Sequence, residues 1–221
     1  MPSKKETIAI NKILEELVLI SGLSGYENNV RDYLIKQLKN KSLNTNTDIL
    51  GNLICTLKGD PKLPSVIIFA HMDQLGFIVK KIEDNGFIRV ERLGGIPEKA
   101  LASQDIVIVN NKNKLIRGVI GNKSHHATLQ DEKYKVTPIK DIYIDAGFKN
   151  KKDVLNNGIN IGSPVTYAPY YKNLSNNNVC GSSIDDRAGC AVILNVASSL
   201  IKIKKRPTVH VVFSVQEEFN L

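Results

Sequence analysis

Two apolar stretches decide the fold of this chain: SVIIFAHMD at residues 65–73 and TVHVVFSVQEE at residues 208–218. Each begins as a continuous run rich in β-branched residues, which is typical of strands inside an α/β sheet. We expect the first run to be buried on both sheet faces and the second to form a central strand. If the two strands are parallel neighbours, both carboxyl ends open into the same crevice, where α/β proteins form their sites.

Helical patterns surround these strands. Residues 5–20 and 30–38 repeat apolar side chains at three- and four-residue spacing, and residues 188–201 have the small and apolar composition of a buried helix. Between the first two patterns, Ser24 precedes Glu27 by the spacing of a capping box. Together these patterns predict an α/β fold class, a mixed sheet with helices on both faces.

The middle of the chain has a different pattern. Residues 75–172 contain short apolar runs separated by Gly, Asn and Pro turns, which indicates a small β-rich domain. We therefore divide the chain into a first α/β part at 1–74, this insertion, and a continuation of the α/β part at 173–221 that is expected to be incomplete. The predicted central strand is followed by no crossover helix, so we expect a fragment or another surface that covers the sheet.

Composition limits the class of protein. A chain of 221 residues with 42% hydrophobic and 24% charged residues has the composition of a globular protein. No run approaches the roughly 20 apolar residues that span a bilayer, and the amino terminus lacks the pattern of a secretion signal, so no membrane partner is expected. Cys55, Cys180 and Cys190 lack a paired spacing, which favours a reducing cytoplasm.

The net charge of +8 raises the question of nucleic-acid binding. The basic residues are scattered along the chain, without the interleaved aromatic residues that stack on bases. A solvated basic surface is the favoured interpretation, and we expect no nucleic-acid partner.

Histidine and carboxylate side chains gather at the predicted strand ends and at one helix start: His71 with Asp73, Asp185 with Asp186, and Glu217 with Glu218. Each pair alone has an ordinary interpretation, as a surface turn, a helix start that favours negative charge, or a solvated loop. Their combination indicates a metal site, because one imidazole with several carboxylates suits zinc, cobalt or manganese. Carboxylates can also bridge two ions about 3.5–4 Å apart.

These motifs together resemble the TET-type dinuclear-metal aminopeptidases, which include glutamyl and deblocking aminopeptidases and some proteins formerly labelled endoglucanases. The resemblance covers nearly the whole chain. Its motifs are Ser24–Glu27, Asp48 with Gly51 and Asn52, Ala70–Asp73 with Gly76 and Phe77, Leu93–Gly95, Asp141–Gly147, Asp185–Cys190 and Val215–Glu218. The resemblance implies a zinc-peptidase-like fold. It also implies that the β-rich insertion is a dimerisation domain, through which homo-oligomers form as dimers and then a larger tetrahedral assembly.

The resemblance further implies a role for each site residue. His71 would bind one metal, Asp185 would bridge both, and Glu218 would bind the second. The cofactors would be two divalent ions, zinc or cobalt. Glu217 would be the general base for the activated water, and Asp73 would orient the imidazole of His71. The peptide bond between the two adjacent aspartates is expected to be cis.

The implied function is removal of amino-terminal residues from peptide substrates through a water activated by two metals. The family completes its metal shell with an acidic residue and a histidine further along, so we expect a chain truncated at its carboxyl terminus. The alternative is a catalytically incompetent truncated homologue that retains oligomerisation and partial metal binding. A glycosidase is disfavoured because the adjacent Glu217 and Glu218 point different ways and do not face each other across a sugar.

Overall fold

A computed structural model describes residues 4–219 of the chain. The chain divides into two compact units, one formed by Met1–Gln74 with Tyr170–Leu221 and the other by Leu75–Pro169. The sequence placed the end of the insertion at residue 172. Among the described residues, no helix has the length and apolar character needed to cross a membrane.

The helices and strands are numbered along the chain. Those of the first unit before the insertion are α1 (Lys4–Val18), α2 (Asn28–Lys39), β1 (Thr45–Thr47), β2 (Leu53–Leu57) and β3 (Val66–His71). The second unit contains β4 (Gly76–Ile82), β5 (Ile88–Leu93), β6 (Asp105–Val109), β7 (Leu115–Ile120), β8 (Ile144–Asp145), α3 (Lys151–Asn156) and β9 (Pro164–Tyr167). The chain returns to the first unit in β10 (Tyr171–Asn173), β11 (Val179–Gly181), α4 (Ile184–Leu200) and β12 (Val209–Ser214).

The main sheet of the first unit has the strand order β1-β2-β12-β3. Strand β12 lies between two neighbours, antiparallel to β2 and parallel to β3. In the parallel pair, Ser214 lies opposite His71, so both strands end at the same edge of the sheet. The mixed α/β fold class is confirmed, and the two apolar runs are parallel neighbours.

One face of this sheet forms the core of the first unit. Alternate side chains of β12 (Val209, Val211 and Phe213) are buried, and they pack with β2 and with α1, α2 and α4. On the other face, Ile67 is 64% exposed and Phe69 is 72% exposed. The expected burial of the β3 run on both faces is therefore wrong for the described residues, because β3 is an edge strand and these helices pack on the opposite face. Helices were expected on both faces of the sheet, but α1, α2 and α4 all pack on one face.

The second unit is a closed barrel with the strand order β4-β5-β8-β7-β6-β9. Its interior is filled by apolar side chains from most of the strands, including Phe77, Ile88, Ile106, Ile120 and Val165. Closure leaves these strands without a free edge. The short β8 and β9 complete the ring.

Candidate metal centre

The candidate site lies in the first unit, at the sheet edge where β3 and β12 end. His71 is the last residue of β3, and its side chain is 12% exposed. Beyond β12, the chain turns through Gln216 into a single turn of 3-10 helix at Glu217–Phe219. The parallel pairing of the two strands therefore brings a histidine and two glutamates to one place.

The imidazole of His71 lies among carboxylates. Its Nε2 atom is 3.1 Å from Oδ1 of Asp185 and 3.8 Å from Oε2 of Glu217. One ligand atom from each of His71, Glu217 and Glu218 can be chosen so that all lie within 4.8 Å of one another. The structure thus gathers His71, Glu217 and Glu218 in one cluster and places Asp185 beside the imidazole of His71.

Asp185 reaches the site because the first residues of α4 are not helical. Asp185 (φ −81°, ψ 112°) and Asp186 (φ −117°, ψ 42°) depart from helical values, and the peptide bond between them is cis, as predicted. Oδ1 of Asp186 accepts a hydrogen bond of 2.9 Å from the amide of Gly189, which caps the regular helix. The ordinary helix-start interpretation therefore applies to Asp186, whereas the side chain of Asp185 is 87% exposed and approaches His71.

Gly189 is required by this cap. A Cβ atom at this position would lie 2.3 Å from Oδ1 of Asp186, well inside van der Waals contact. The helix start therefore combines a capping carboxylate with a residue that has no side chain, and this combination leaves Asp185 free to turn toward the sheet edge.

Asp73 contacts both the imidazole of His71 and the turn that carries the two glutamates. It is fully buried, and its Oδ1 lies 3.4 Å from Nδ1 of His71. Its two oxygens also accept hydrogen bonds from the backbone amides of Glu217 (3.1 Å) and Glu218 (2.9 Å), and Ser24 Oγ donates to Oδ2 at 2.9 Å. Burial raises the pKa of Asp73, but these hydrogen bonds and His71 outweigh burial and hold it below its usual value. An ionised Asp73 therefore positions the glutamate backbone as well as the imidazole.

The electrostatics of the site reflect its crowded carboxylates. Burial lowers the pKa of His71, but the carboxylates of Asp73, Asp185 and Glu217 together outweigh burial and raise this pKa to about 9. Burial raises the pKa of Glu218; His71 opposes this shift, whereas the neighbouring carboxylates add to it. A divalent cation would relieve this repulsion.

The residues present fit a divalent ion. Nδ1 of His71 is buried and has no hydrogen-bond partner among residues 4–219, because the 3.4 Å approach of Asp73 is an ion-pair distance and not a well-aligned bond. A cation at Nε2 would favour the tautomer with a proton on Nδ1, facing Asp73. One imidazole nitrogen with several carboxylate oxygens is a donor set that suits zinc, cobalt or manganese.

Arg187, which the sequence analysis did not single out, is fully buried behind the site. Its Nη2 donates to Oε1 of Gln74 at 3.3 Å, whereas Nε and Nη1 have no hydrogen-bond partner in the described part of the chain. Burial lowers the pKa of Arg187 to about 10, and the nearby Cys190, Asp73 and Glu27 oppose that shift. One sequence signal could have indicated this burial, namely a charged residue at the start of an apolar helix pattern.

The remaining histidines lie outside this cluster. His210, at the opposite end of β12, pairs through Nδ1 with Oγ1 of Thr56 at 3.0 Å. His125 and His126 are exposed residues of the second unit.

Comparisons with known proteins identify relatives across this chain. A family model described as M42 glutamyl aminopeptidase matches residues 51–221. SgcX of Escherichia coli strain K12, named an aminopeptidase, is 35% identical over 216 residues, which are 97% of this chain and 58% of SgcX. Aminopeptidase APDkam598 from the archaeon Desulfurococcus kamchatkensis has a TM-score of 0.88 and 31% identity, with coverage of 97% of this chain and 58% of its own.

A further solved structure is that of the Pyrococcus horikoshii TET1 peptidase, described as able to assemble into a tetrahedron or a large octahedral shell. It has a TM-score of 0.87 and 27% identity, with coverage of 96% of this chain and 62% of its own. This chain therefore spans about three fifths of the length of these relatives.

Proposed function

This chain belongs to the M42 glutamyl aminopeptidase family, and from that premise we propose that it carries the metal-binding part of an aminopeptidase active site. The complete protein would hydrolyse amino-terminal residues from peptides with two divalent ions, zinc or cobalt. The observation that carries this proposal is the cluster of His71, Glu217 and Glu218, whose ligand atoms lie within 4.8 Å, with Asp185 beside the imidazole.

In this proposal His71 would hold one ion, Glu218 would hold the other, and Asp185 would be a ligand to both. When bound, such ions polarise the carbonyl of the scissile peptide and raise the acidity of water. Glu217 is the general base: its side chain is 59% exposed, so an attacking water and a substrate can reach it. Its carboxylate takes the proton of that water and then delivers it to the departing amine.

Metal binding is the first test. The 221-residue chain is expected to bind Zn²⁺ or Co²⁺, and His71→Ala should raise the Kd for the metal by about 100-fold or more. Loss of a residue that only hydrogen-bonds to a metal ligand already weakens metal binding by about 10–100-fold. Isothermal titration calorimetry measures this change. His210→Ala is the matched control, since that histidine belongs to the same sheet and is paired with Thr56. Equal Kd values for the two variants would contradict the proposed ligand.

Hydrolysis is tested on the complete protein, because this chain spans 58% of the length of SgcX. Release of the chromophore from an aminoacyl anilide should require Zn²⁺ or Co²⁺ and should stop when a chelator removes the ion. Activity that survives full removal of metal would contradict the proposal.

A second candidate concerns the 221-residue polypeptide by itself, namely partial metal binding without turnover. It is favoured by the ligand set, because His71, Asp185 and Glu218 are too few side chains to hold two ions in closed coordination. We expect this polypeptide to bind at most one ion tightly and to leave the anilide intact. Metal analysis and the anilide assay on the same sample measure both properties, and ordinary enzyme turnover would contradict this candidate.

We also propose that the protein forms homo-oligomers through the barrel of residues 75–169, since the similar TET1 peptidase is described as assembling into closed shells. Light scattering of the 221-residue chain should give a mass of at least twice the 24.5 kDa of one chain. A monomeric mass would contradict this proposal.

We propose the reducing cytoplasm as the location of the protein. The free thiols of Cys55, Cys180 and Cys190 fit such a compartment.

A further inference from the structure

The turn Ser24–Glu27 does not have the role that its sequence predicts. Its spacing predicts a capping box for the following helix, but α2 begins at Asn28, and Glu27 at the N-cap position makes no side-chain capping bond. The capping-box prediction is wrong. Both side chains are nonetheless buried, with exposures of 4% for Ser24 and 5% for Glu27, so their polar atoms have other partners.

Those partners lie in the turn that carries the two glutamates. Oε1 of Glu27 accepts a hydrogen bond of 2.8 Å from the amide of Gly25 and one of 3.1 Å from the amide of Gln216. Oγ of Ser24 donates to Oδ2 of Asp73, the oxygen that also accepts from the amide of Glu218. One turn near the amino terminus therefore contacts the Gln216–Glu218 segment directly and through Asp73.

The segment that receives these contacts has a backbone conformation that needs support. Gln216 has φ +59°, in the left-handed region that is unfavourable for residues other than glycine. The hydrogen bond from its amide to Glu27 helps to hold this conformation. Glu217 is the next residue, so the direction of its exposed side chain depends on how Gln216 is held.

We propose that Ser24 and Glu27 are positioning residues that hold the Gln216–Glu218 turn, so that Glu217 faces the reacting water and Glu218 faces the metal. This inference rests on the proposed function of those two glutamates. Neither Ser24 nor Glu27 touches a reacting atom; each acts through the backbone of residues 216–218 or through Asp73.

The test uses the fact that the hydrogen bonds from the amides of Gly25 and Gln216 end on one oxygen of Glu27. Glu27→Gln retains an amide oxygen that can accept both bonds, whereas Glu27→Ala removes the acceptor. In the complete protein loaded with Co²⁺, Glu27→Ala should lower kcat by about 10–100-fold, as for other outer partners of a metal site, with KM changed by less than about 2-fold. Glu27→Gln should restore kcat to within about 3-fold of the parent.

A second readout does not depend on catalysis. The visible absorption of Co²⁺ bound to the 221-residue chain reports ligand geometry, and it should change in Glu27→Ala and return in Glu27→Gln. Glu16→Ala is the matched control, because Glu16 is a carboxylate of the same unit that accepts a hydrogen bond from Tyr33 Oη at 2.7 Å. Its absorption and kcat should match the parent. Thermal unfolding verifies that each variant is folded.

The outcomes separate this inference from the proposed function. If the parent binds Co²⁺ and hydrolyses the anilide, but Glu27→Ala leaves kcat and the absorption unchanged, the inference is overturned and the proposed function stands. Equal losses in Glu27→Ala and Glu27→Gln would also overturn it, because they would show a need for charge. If Glu27→Ala fails to fold, kcat and the Co²⁺ absorption are measured on Ser24→Ala instead, and unchanged values there would overturn the inference. A parent that neither binds metal nor hydrolyses the anilide overturns the proposed function and the inference together.

Discussion

Glu217→Gln is expected to lower kcat of the complete protein by about 10²–10⁴-fold, the contribution typical of a positioned general base. Glutamine has nearly the same shape but takes no proton from water at neutral pH. The amide of residue 217 still donates to Oδ1 of Asp73 in the variant, so the turn should keep its position. The anilide assay at saturating substrate measures the loss, and metal analysis of the same sample should show an unchanged metal content.

Substitution of the neighbouring residue, Glu218, is expected to have a different effect on metal content. Glu218→Gln should lose metal as well as activity, because this residue is proposed as a ligand. The structure places both glutamates within 4.8 Å of a His71 nitrogen, so geometry alone permits either to be the ligand. If Glu217→Gln lost the metal and Glu218→Gln kept it, the two proposed roles would have to be exchanged.

Arg187→Met should destabilise the chain by about 3–5 kcal/mol, the usual cost of removing one member of a buried charged group. Arg187 is fully buried, and its charge acts on the buried carboxylates of Asp73 and Glu27. Methionine fills much of the same volume but leaves those carboxylates without this cation. Urea unfolding of the 221-residue chain measures the change in the free energy of unfolding.

Lys12→Met is the matched control for this variant. Lys12 is an exposed cation of α1 in the same unit, so its replacement should change the free energy of unfolding by no more than about 0.5 kcal/mol. A loss below about 1 kcal/mol for Arg187→Met would show that the two carboxylates do not depend on the guanidinium for stability.

The two strands that end at the site were predictable because their sequences carry strong local signals. The β-branched runs before His71 and before Glu217 predicted strands, and β3 and β12 form in those places as parallel neighbours. The approach of Asp185 to His71 agrees with the resemblance, which had brought these residues to one site. The roles of the individual ligands and of the base remain predictions.

Other features depended on neighbours that are remote in the chain. Ser24 and Glu27 have the spacing of a helix cap, yet their hydrogen bonds go to Asp73 and Gln216. The exposure of Ile67 and Phe69 follows from the edge position of β3, which an apolar sequence run does not reveal. The barrel is closed partly by β8, which is only two residues long and too short for a periodic pattern.

By itself, the amino-acid sequence determined the α/β class, the interruption by a β-rich segment, and the placement of one histidine with several carboxylates at strand ends. It could do so because side-chain periodicity and residue type act over a few neighbouring positions. Only the tertiary structure decided that Asp186 caps α4 while Asp185 turns to His71, that Arg187 is buried, and that Glu27 holds Gln216. The last contact joins residues 189 positions apart, so it exists only when the folded path brings both turns to one edge of the sheet.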